Sequence, residues 1–321
     1  TINNGTTGLI TATGVTTITG TAAAINTLMG QEGDSGNKVN LDTDFLVTIT
    51  PAGSAAAAHL NTINGKTTNL VTATAVTAIT GTVSAVKTVI DAEGDAGDKI
   101  NLDADFTVTL DTVESAAVTD LSAINAKTSG NITATNITAL TGTASAINTF
   151  ITTEQSDAGN GVNLDTDFTA TVSDTDTTAT HLSTLNGNMT GLINAGTVTN
   201  LTGTIAEVKA VTDAKGSSGD KINLDGDFTA TVSDAGSAAA SDLSAISEKT
   251  TGNITATNVT TLTGTASEIA TLINDQADSG DGVNLAANVT ATVTGTVAAA
   301  DLNTINNGTT GLITATGVTT I

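Results

Sequence analysis

Residues 131–151, NITATNITALTGTASAINTFI, contain the pattern from which the whole chain is built. The first ten residues are rich in Thr and Ile, which favour a pleated, half-buried strand. A Thr-Gly-Thr turn follows, and beyond it Ile147 and Phe150 lie three residues apart, on one face of a helix. A helix this short is unstable alone, so we expect it to pack against the strand. The stretch therefore predicts a strand, a turn and a short packed helix.

Two sequence markers show that this pattern recurs. Ile/Leu-Thr-Gly-Thr begins at Ile18, Ile79, Leu140, Leu201 and Leu262, each 61 residues after the last. Asn-Leu-Asp-x-Asp-Phe occupies 40–45, 101–106, 163–168 and 223–228, with a degenerate copy at 284–289. Repetition at a fixed period is typical of solenoids and arrays. We predict repeats at residues 1–61, 62–122, 123–183, 184–244 and 245–303, the last one about 59 residues long.

Each repeat divides into two halves of related design. The second half runs through an extended segment such as 39–50 and then an Ala-rich segment such as 54–64. Apolar residues three apart recur in the helical segments of both halves, as in Val86 with Val89 and Leu121 with Ile124. Thr204 with Glu207, and Thr265 with Glu268, fit the capping box that begins a helix. The halves predict about ten coils of about 30 residues each.

The predicted fold is a repeat solenoid over residues 1–321, one continuous fragment of stacked coils. Each coil would hold parallel β-strands and a short Ala-rich helix, as an α/β solenoid or a β-solenoid. Helices pack about 8–10 Å apart and strands about 4.8 Å. Curvature, coils without a helix, or helices on alternating faces would relieve that mismatch, and the sequence does not choose among them.

The chain ends on a copy of its own beginning. Residues 304–321 repeat residues 1–18 letter for letter, 303 positions later. We interpret the chain as one period of a longer pattern that continues in phase. The expected partner is therefore the chain itself, through further repeats of the same polypeptide or through like chains in a fibre.

Composition excludes several functional classes. Nine Lys against 32 acidic residues give a net charge of -23, which argues against nucleic-acid binding. No run of 18 apolar residues is present, so no transmembrane segment is expected. His59 and His181 stand in a helix position where Asp stands in other repeats, and no nucleophile arrangement accompanies them. We therefore predict that the protein is not an enzyme and requires no cofactor.

The acidic loops before the Asp-x-Asp-Phe strands form the candidate metal site. Carboxylates around a Gly-containing turn suit a hard cation such as Ca²⁺. Asp42 and Asp44 would alternate along a strand and point to one face. The alternative interpretation is that Asp, Asn and Gly make turns and keep sheet edges soluble. The candidate ligands are Asp34, Asp42, Asp44, Asp95, Asp103, Asp105, Asp157, Asp165, Asp167, Asp225 and Asp227.

Two further patterns recur in register. Phe45, Phe106, Phe168 and Phe228 close the acidic motifs and are predicted to anchor the core. Thr-x-Thr strings recur at 11–13, 72–74, 133–135, 255–257 and 314–316. Stacked coils would turn these strings into hydroxyl ladders on one face, similar to the flat faces of ice-binding solenoid proteins. Plain strand surface is the alternative interpretation, since Thr is a good strand former.

The units ITGTAAAINTL (18–28), LTGTIAEVKAV (201–211) and HLNTINGKTTNLVTATAVTAITGT (59–82) resemble a known protein class. They are similar to the Thr/Ala-rich tandem repeats of giant cell-surface proteins of cyanobacteria and other aquatic bacteria. The resemblance implies an extracellular or cell-surface location and a structural role as fibre, sheath, surface layer or adhesin stalk. It transfers no catalytic residue. A Ca²⁺-dependent adhesin and an ice-binding solenoid are the alternative functions.

Overall fold

The structure is a computed structural model that describes residues 5–97, 99–155, 161–219, 221–276, 282–315 and 318. The chain forms two compact units. Unit 1 comprises Thr1–Leu140 and Thr149–Thr166, and unit 2 comprises Thr141–Asn148 and Asp167–Ile321. No helix among the described residues is long and apolar enough to cross a membrane.

The described residues contain ten helices, each eight to ten residues long. They are α1 (Ala22–Gly30), α2 (Ala57–Asn64), α3 (Val83–Asp91), α4 (Val118–Asn125), α5 (Ala144–Thr153), α6 (Ala179–Asn188), α7 (Ile205–Asp213), α8 (Ala240–Ser247), α9 (Ala266–Asn274) and α10 (Ala299–Gly308).

Short strands fill the intervals between the helices. In the first half of the chain they are β1 (Ile10–Ala12), β2 (Thr17–Gly20), β3 (Val39–Leu41), β4 (Leu46–Ile49), β5 (Gly53–Ala56), β6 (Val71–Thr72), β7 (Val76–Gly81), β8 (Ile100–Asn101), β9 (Thr107–Leu110), β10 (Glu114–Ala117), β11 (Ile132–Ala134), β12 (Ile137–Gly142) and β13 (Val162–Leu164). They continue as β14 (Thr169–Val172), β15 (Asp176–Thr178), β16 (Ile193–Ala195), β17 (Asn200–Gly203), β18 (Ile222–Leu224), β19 (Thr229–Val232), β20 (Gly236–Ala239), β21 (Asn253–Ala256), β22 (Val259–Thr265), β23 (Gly282–Leu285), β24 (Thr290–Thr294) and β25 (Ile313–Thr314).

The strands pair in parallel within each unit, as the strand-helix pattern predicts. In unit 1 the strand orders are β1-β3, β2-β4-β6-β8 and β5-β7-β9-β11-β13. In unit 2 they are β14-β16-β18, β15-β17-β19-β21-β23 and β20-β22-β24-β25. The coarse prediction of repeated strand-helix units with parallel sheets, in a solenoid-like arrangement, is therefore confirmed.

The number of strands per coil differs from the prediction. Two strands precede each of α3 and α9, and three precede each of α2, α4, α6 and α8, where the sequence predicts a single extended segment. The segment 131–140 is broken by a turn at Thr135 and Asn136, so it contributes β11 and the start of β12. Thr and Ile favour strand locally, but they do not reveal these turns.

The helices of each unit lie in a layer, each packed on its neighbour in the chain. In unit 1, α2 contacts both α1 and α3, and α3 contacts α4. The apolar pairs three residues apart face inward as predicted: Val86, Val89, Leu121 and Ile124 are fully buried. In α1 the prediction is only partly right, because Met29 is buried while Leu28 is half-buried.

The strand register does not follow the sequence repeat. Val47 pairs with Val71, 24 residues on, and Val71 pairs with Ile100, 29 residues on. Two steps from strand to paired strand therefore span 53 residues of sequence, whereas the sequence repeat is 61 residues long. The strand pairing is therefore not in step with the sequence repeat. As a result, β4, the second of the three strands between α1 and α2, lies in the same sheet as β8, the first of the three strands between α3 and α4. With this drift in register, each sheet contains five strands or fewer among the described residues.

Buried apolar rows run across the strands and form the core. Ile18, Val47, Val71 and Ile100 are paired in one row of unit 1, and Leu201, Ala230, Ile254 and Val283 in one row of unit 2. Each is at most 9% exposed. Full burial of a Val, Leu or Ile side chain contributes about 1.5–3 kcal/mol, so these rows are the main attraction between coils.

Candidate cation site and contacts between coils

The Asp-x-Asp segments lie in turns and not on strands. Asp42, Thr43 and Asp44 connect β3 to β4, and all three side chains are exposed. The same holds for the pairs Asp103 and Asp105, Asp165 and Asp167, and Asp225 and Asp227. The expectation that the two Asp residues alternate along one strand is therefore wrong. The next residue, Phe in these four copies, is buried and at most 3% exposed, which confirms the predicted core anchors.

The first Asp of each turn uses its carboxylate to shape the turn. Its Oδ1 accepts the backbone N–H of the following residue in all four copies, at 2.8 Å for Thr43, 2.8 Å for Ala104, 2.7 Å for Thr166 and 2.6 Å for Gly226. Local bonds of this kind are how Asp favours turns. The geometry thus accounts for the first Asp of each pair without a ligand.

The remaining candidate ligands lie in a separate loop that precedes β3 and its equivalents. Asp34 and Asp95 are exposed in these bends, and Asp157 lies outside the described residues. Among the residues that the structure describes, no group of three or more His, Asp or Glu side chains is placed to hold a metal ion.

A buried Thr links three of the four acidic turns to the next coil. Thr128 is 5% exposed, and its Oγ1 donates to the carbonyl of Phe106. The same oxygen accepts the N–H of Gly130 at 2.9 Å. Thr67 and Thr250 make the equivalent bonds to Phe45 and Phe228. Sequence reasoning did not identify this contact, although the recurring Lys-Thr-Thr or Lys-Thr-Ser string at 66–68, 127–129 and 249–251 is a visible signal.

A backbone bond from the residue after this Thr strengthens the link. The N–H of Ser129 donates to the carbonyl of Ala104 at 2.8 Å, and the N–H of Thr68 donates to that of Thr43 at the same distance. The following coil thus holds the acidic turn at two backbone carbonyls, one within the turn and one on the buried Phe. Its backbone is fixed to the following coil, while its carboxylates point to solvent.

Carboxylates from one coil also cap the helix of the preceding coil. The first N–H of α5, from Ala144, donates to Asp174 Oδ2 at 2.7 Å. Ile205 at the start of α7 donates to Asp234 Oδ2 at 2.5 Å, and Val83 of α3 donates to Glu114 Oε1 at 2.9 Å. Each carboxylate satisfies an N–H that has no partner within its own helix and interacts favourably with the helix dipole. Only the register between coils reveals these contacts.

The two predicted capping boxes are confirmed. Thr204 caps α7 and Thr265 caps α9, each through reciprocal bonds with the Glu three residues on. The hydrogen bond from the Thr204 backbone N–H lowers the pKa of Glu207, with further donation from the Thr180 and Thr204 hydroxyls. The backbone N–H of Thr265 likewise lowers the pKa of Glu268. Thr180 belongs to α6, so the α7 cap also joins neighbouring helices.

One repeat reverses a charge at a contact between coils. Lys66 pairs with Glu32, and Lys127 with Glu93, both at 3.1 Å. Lys215 occupies the corresponding Glu position in the fourth repeat. Its Nζ donates to the carbonyls of Asp225 at 2.9 Å and Lys249 at 2.8 Å, and lies 5.2 Å from the Phe228 ring centroid. Burial lowers its pKa. Lys215 therefore still contacts the neighbouring coil, but it does so through hydrogen bonds to backbone carbonyls instead of an ion pair.

Threonine side chains form rows across the outer faces of the sheets. We define row 1 as Thr19, Thr48, Thr72 and Asn101, row 2 as Thr80, Thr109, Thr133 and Asn163, and row 3 as Thr202, Thr231, Thr255 and Asn284. Each member follows a residue of a buried apolar row, so it points outward. The predicted ladders between stacked Thr-x-Thr strings are not formed, because Thr72, Thr133 and Thr255 each join a different row whose other members come from other segments. The second Thr of these strings joins no row. Thr74 and Thr135, for example, lie in turns.

Two hollows on unit 2 are polar. One, of about 530 Å³, lies between α8 and α9, where Ser247 donates to Asp275 Oδ2 at 2.7 Å. The other, of about 230 Å³, includes His181 and Asp174. Asp174 already accepts the first N–H of α5, and Ser247 and Asp275 bind each other. Asp174, Ser247 and Asp275 therefore serve contacts between coils.

No family model, curated protein or solved structure matches this chain.

The buried Thr link can be tested with Thr128→Val, which keeps the shape and removes the hydroxyl. The carbonyl of Phe106 loses its side-chain donor, and we expect a loss of about 1–3 kcal/mol in unfolding free energy, measured by urea denaturation. Thr135→Val, in an exposed turn, is the matched control. Equal stability of the two variants would contradict the assigned role.

The cap between coils can be tested with Asp174→Ala. Loss of the carboxylate leaves the Ala144 N–H without its partner, and we expect a loss of about 0.5–2 kcal/mol, as for other helix caps. Asp176→Ala removes the same charge two residues away, where the exposed carboxylate accepts a long hydrogen bond from the Thr175 hydroxyl at 3.4 Å. Thermal melting should separate the two variants, and identical curves would rule out the cap.

Thermal melting with added CaCl2 and with a chelator separates the two interpretations of the acidic turns. Because the first Asp of each turn is engaged by the turn itself, we expect the same midpoint in both conditions. MgCl2 at equal ionic strength controls for general screening of the negative charge. A higher midpoint that is specific to Ca²⁺ would support the cation-site interpretation instead.

Proposed function

We propose that this chain is a structural repeat protein of the cell surface or extracellular matrix. It would serve as part of a fibre, a sheath, a surface layer or an adhesin stalk, and it carries no catalytic role in this proposal. The observation that carries the proposal is the repetition of one set of contacts from coil to coil. Apolar rows, buried Thr links and carboxylate caps all join a coil to its neighbour.

Contacts between neighbours suit a protein that grows in one dimension. In repeat proteins each unit contacts only the adjacent units, so stability is a sum of units and interfaces. The same sequence can then be extended without a new core. We infer that the coils form a continuous solenoid and that its further partners are more repeats, within the same polypeptide or in like chains.

The surface chemistry supports a place outside the cell. Exposed Asp residues in the turns give a strongly negative surface that repels itself and stays soluble at high concentration. The core uses no Cys, so its stability does not depend on the redox state of its surroundings. The resemblance to giant surface proteins of aquatic bacteria points to the same location.

Electron microscopy tests the fibre proposal directly. A recombinant chain that contains residues 1–303 twice in tandem should form rods twice as long as one period, with unchanged width. Melting should also shift upward, because interior repeats gain a second neighbour. Compact particles whose diameter grows in all directions would contradict the proposal. Antibody labelling of intact source cells would test the location, and labelling only after lysis would refute it.

A further inference from the structure

The outer face of the sheet β5-β7-β9-β11-β13 is uncharged. Its outward residues form two adjacent rows. Row 2 runs from Thr80 through Thr109 and Thr133 to Asn163, and a second row pairs Ser54, Ala78 and Thr107. None of these described positions carries a charge, on a chain whose net charge is -23. The acidic residues lie in the turns, so the face presents only hydroxyl, amide and methyl groups.

The hydroxyls of row 2 remain available to an external partner. Those of Thr80, Thr109 and Thr133 make no hydrogen bond to other residues within the described parts of the chain. The hydroxyls of Thr19, Thr48 and Thr72 in row 1 likewise make no hydrogen bond to other described residues. Threonines elsewhere are engaged, as in the buried links of Thr67 and Thr128. Rows 1 and 2 thus hold donors and acceptors that the described fold does not use, whereas in row 3 the Thr202 hydroxyl donates to the Thr177 carbonyl at 3.4 Å.

The spacing of the rows is fixed by the backbone. Neighbours along a row are about 4.8 Å apart, and alternate residues along a strand about 6.6 Å apart. Thr has a stiff β-branched side chain, so its methyl and hydroxyl keep a constant orientation from strand to strand. A lattice of this kind can hold a layer of water in register. Charged side chains, which would impose their own hydration shells, are absent from these outward positions.

We propose that the threonine rows bind crystalline ice. The ligand must offer a repeating, neutral array of hydrogen-bond donors and acceptors, because that is what the rows offer. Crystalline polysaccharides are a poorer fit, since sugar rings pack well on aromatic side chains and these faces have none. The proposal is independent of the fibre function, and a surface protein that binds ice would attach its carrier to ice.

The test uses the full 321-residue chain and two matched triple variants. T48K/T109K/T231K places one Lys in each row, and T43K/T112K/T175K places three Lys in exposed loops. Both change the net charge equally. Each protein is measured for thermal hysteresis and for incorporation of a fluorescent label into a growing ice hemisphere. We expect activity in the wild type and the loop variant, and reduction to the buffer level in the row variant.

A milder variant keeps the test valid if three Lys residues disturb folding. T48V/T109V/T231V retains the methyl groups and the strand preference and removes only the hydroxyls. With circular dichroism and melting unchanged, it should lower thermal hysteresis several-fold. A wild-type chain without hysteresis or ice incorporation would overturn the proposal. Equal activity of the row and loop variants would overturn it as well, since binding would then lie elsewhere.

Discussion

Register between parallel strands is the constraint on which the other contacts depend. Backbone hydrogen bonds fix which residues of neighbouring coils stand opposite each other, and a shift by one residue would turn every apolar row outward. The apolar rows resist that shift because each buried side chain contributes about 1.5–3 kcal/mol. Once the register is set, Thr128 meets Phe106 and Asp174 meets the start of α5. The links and caps therefore follow from the ladder and reinforce it.

The contacts between coils have different tolerances to substitution. The pair Lys66 and Glu32 is exposed, and such pairs contribute about 0–1 kcal/mol, so the reversal to Lys215 in a later repeat costs little. The buried Thr changes less, although Met189 stands in that position in the fourth repeat. Met189 is 6% exposed, so packing replaces the hydrogen bond there. The position is thus buried in both repeats, whether it holds the polar Thr128 or the apolar Met189.

Much of the local structure could be predicted from the sequence because it depends on neighbours in the chain. Val86 and Val89 lie on one helical turn, and Thr204 with Glu207 forms a cap, so spacing alone identifies them. The acidic turns could not be placed in this way. Asp42 and Asp44 fit the alternation of a strand, and only the tertiary fold puts a turn there. The caps from Asp174 and Glu114 were equally hidden, because their partners lie about 30 residues away.

The short sequence distance between paired strands has a consequence for folding. The described strands pair with partners 22–30 residues along the chain, as for Ala291 with Ile313 and Ile132 with Val162. Contacts of low sequence separation cost little loop-closure entropy and form quickly. A coil can therefore dock on the previous one as soon as it leaves the ribosome. A chain assembled in that order exposes only one unfinished coil at a time, which keeps aggregation low however many repeats follow.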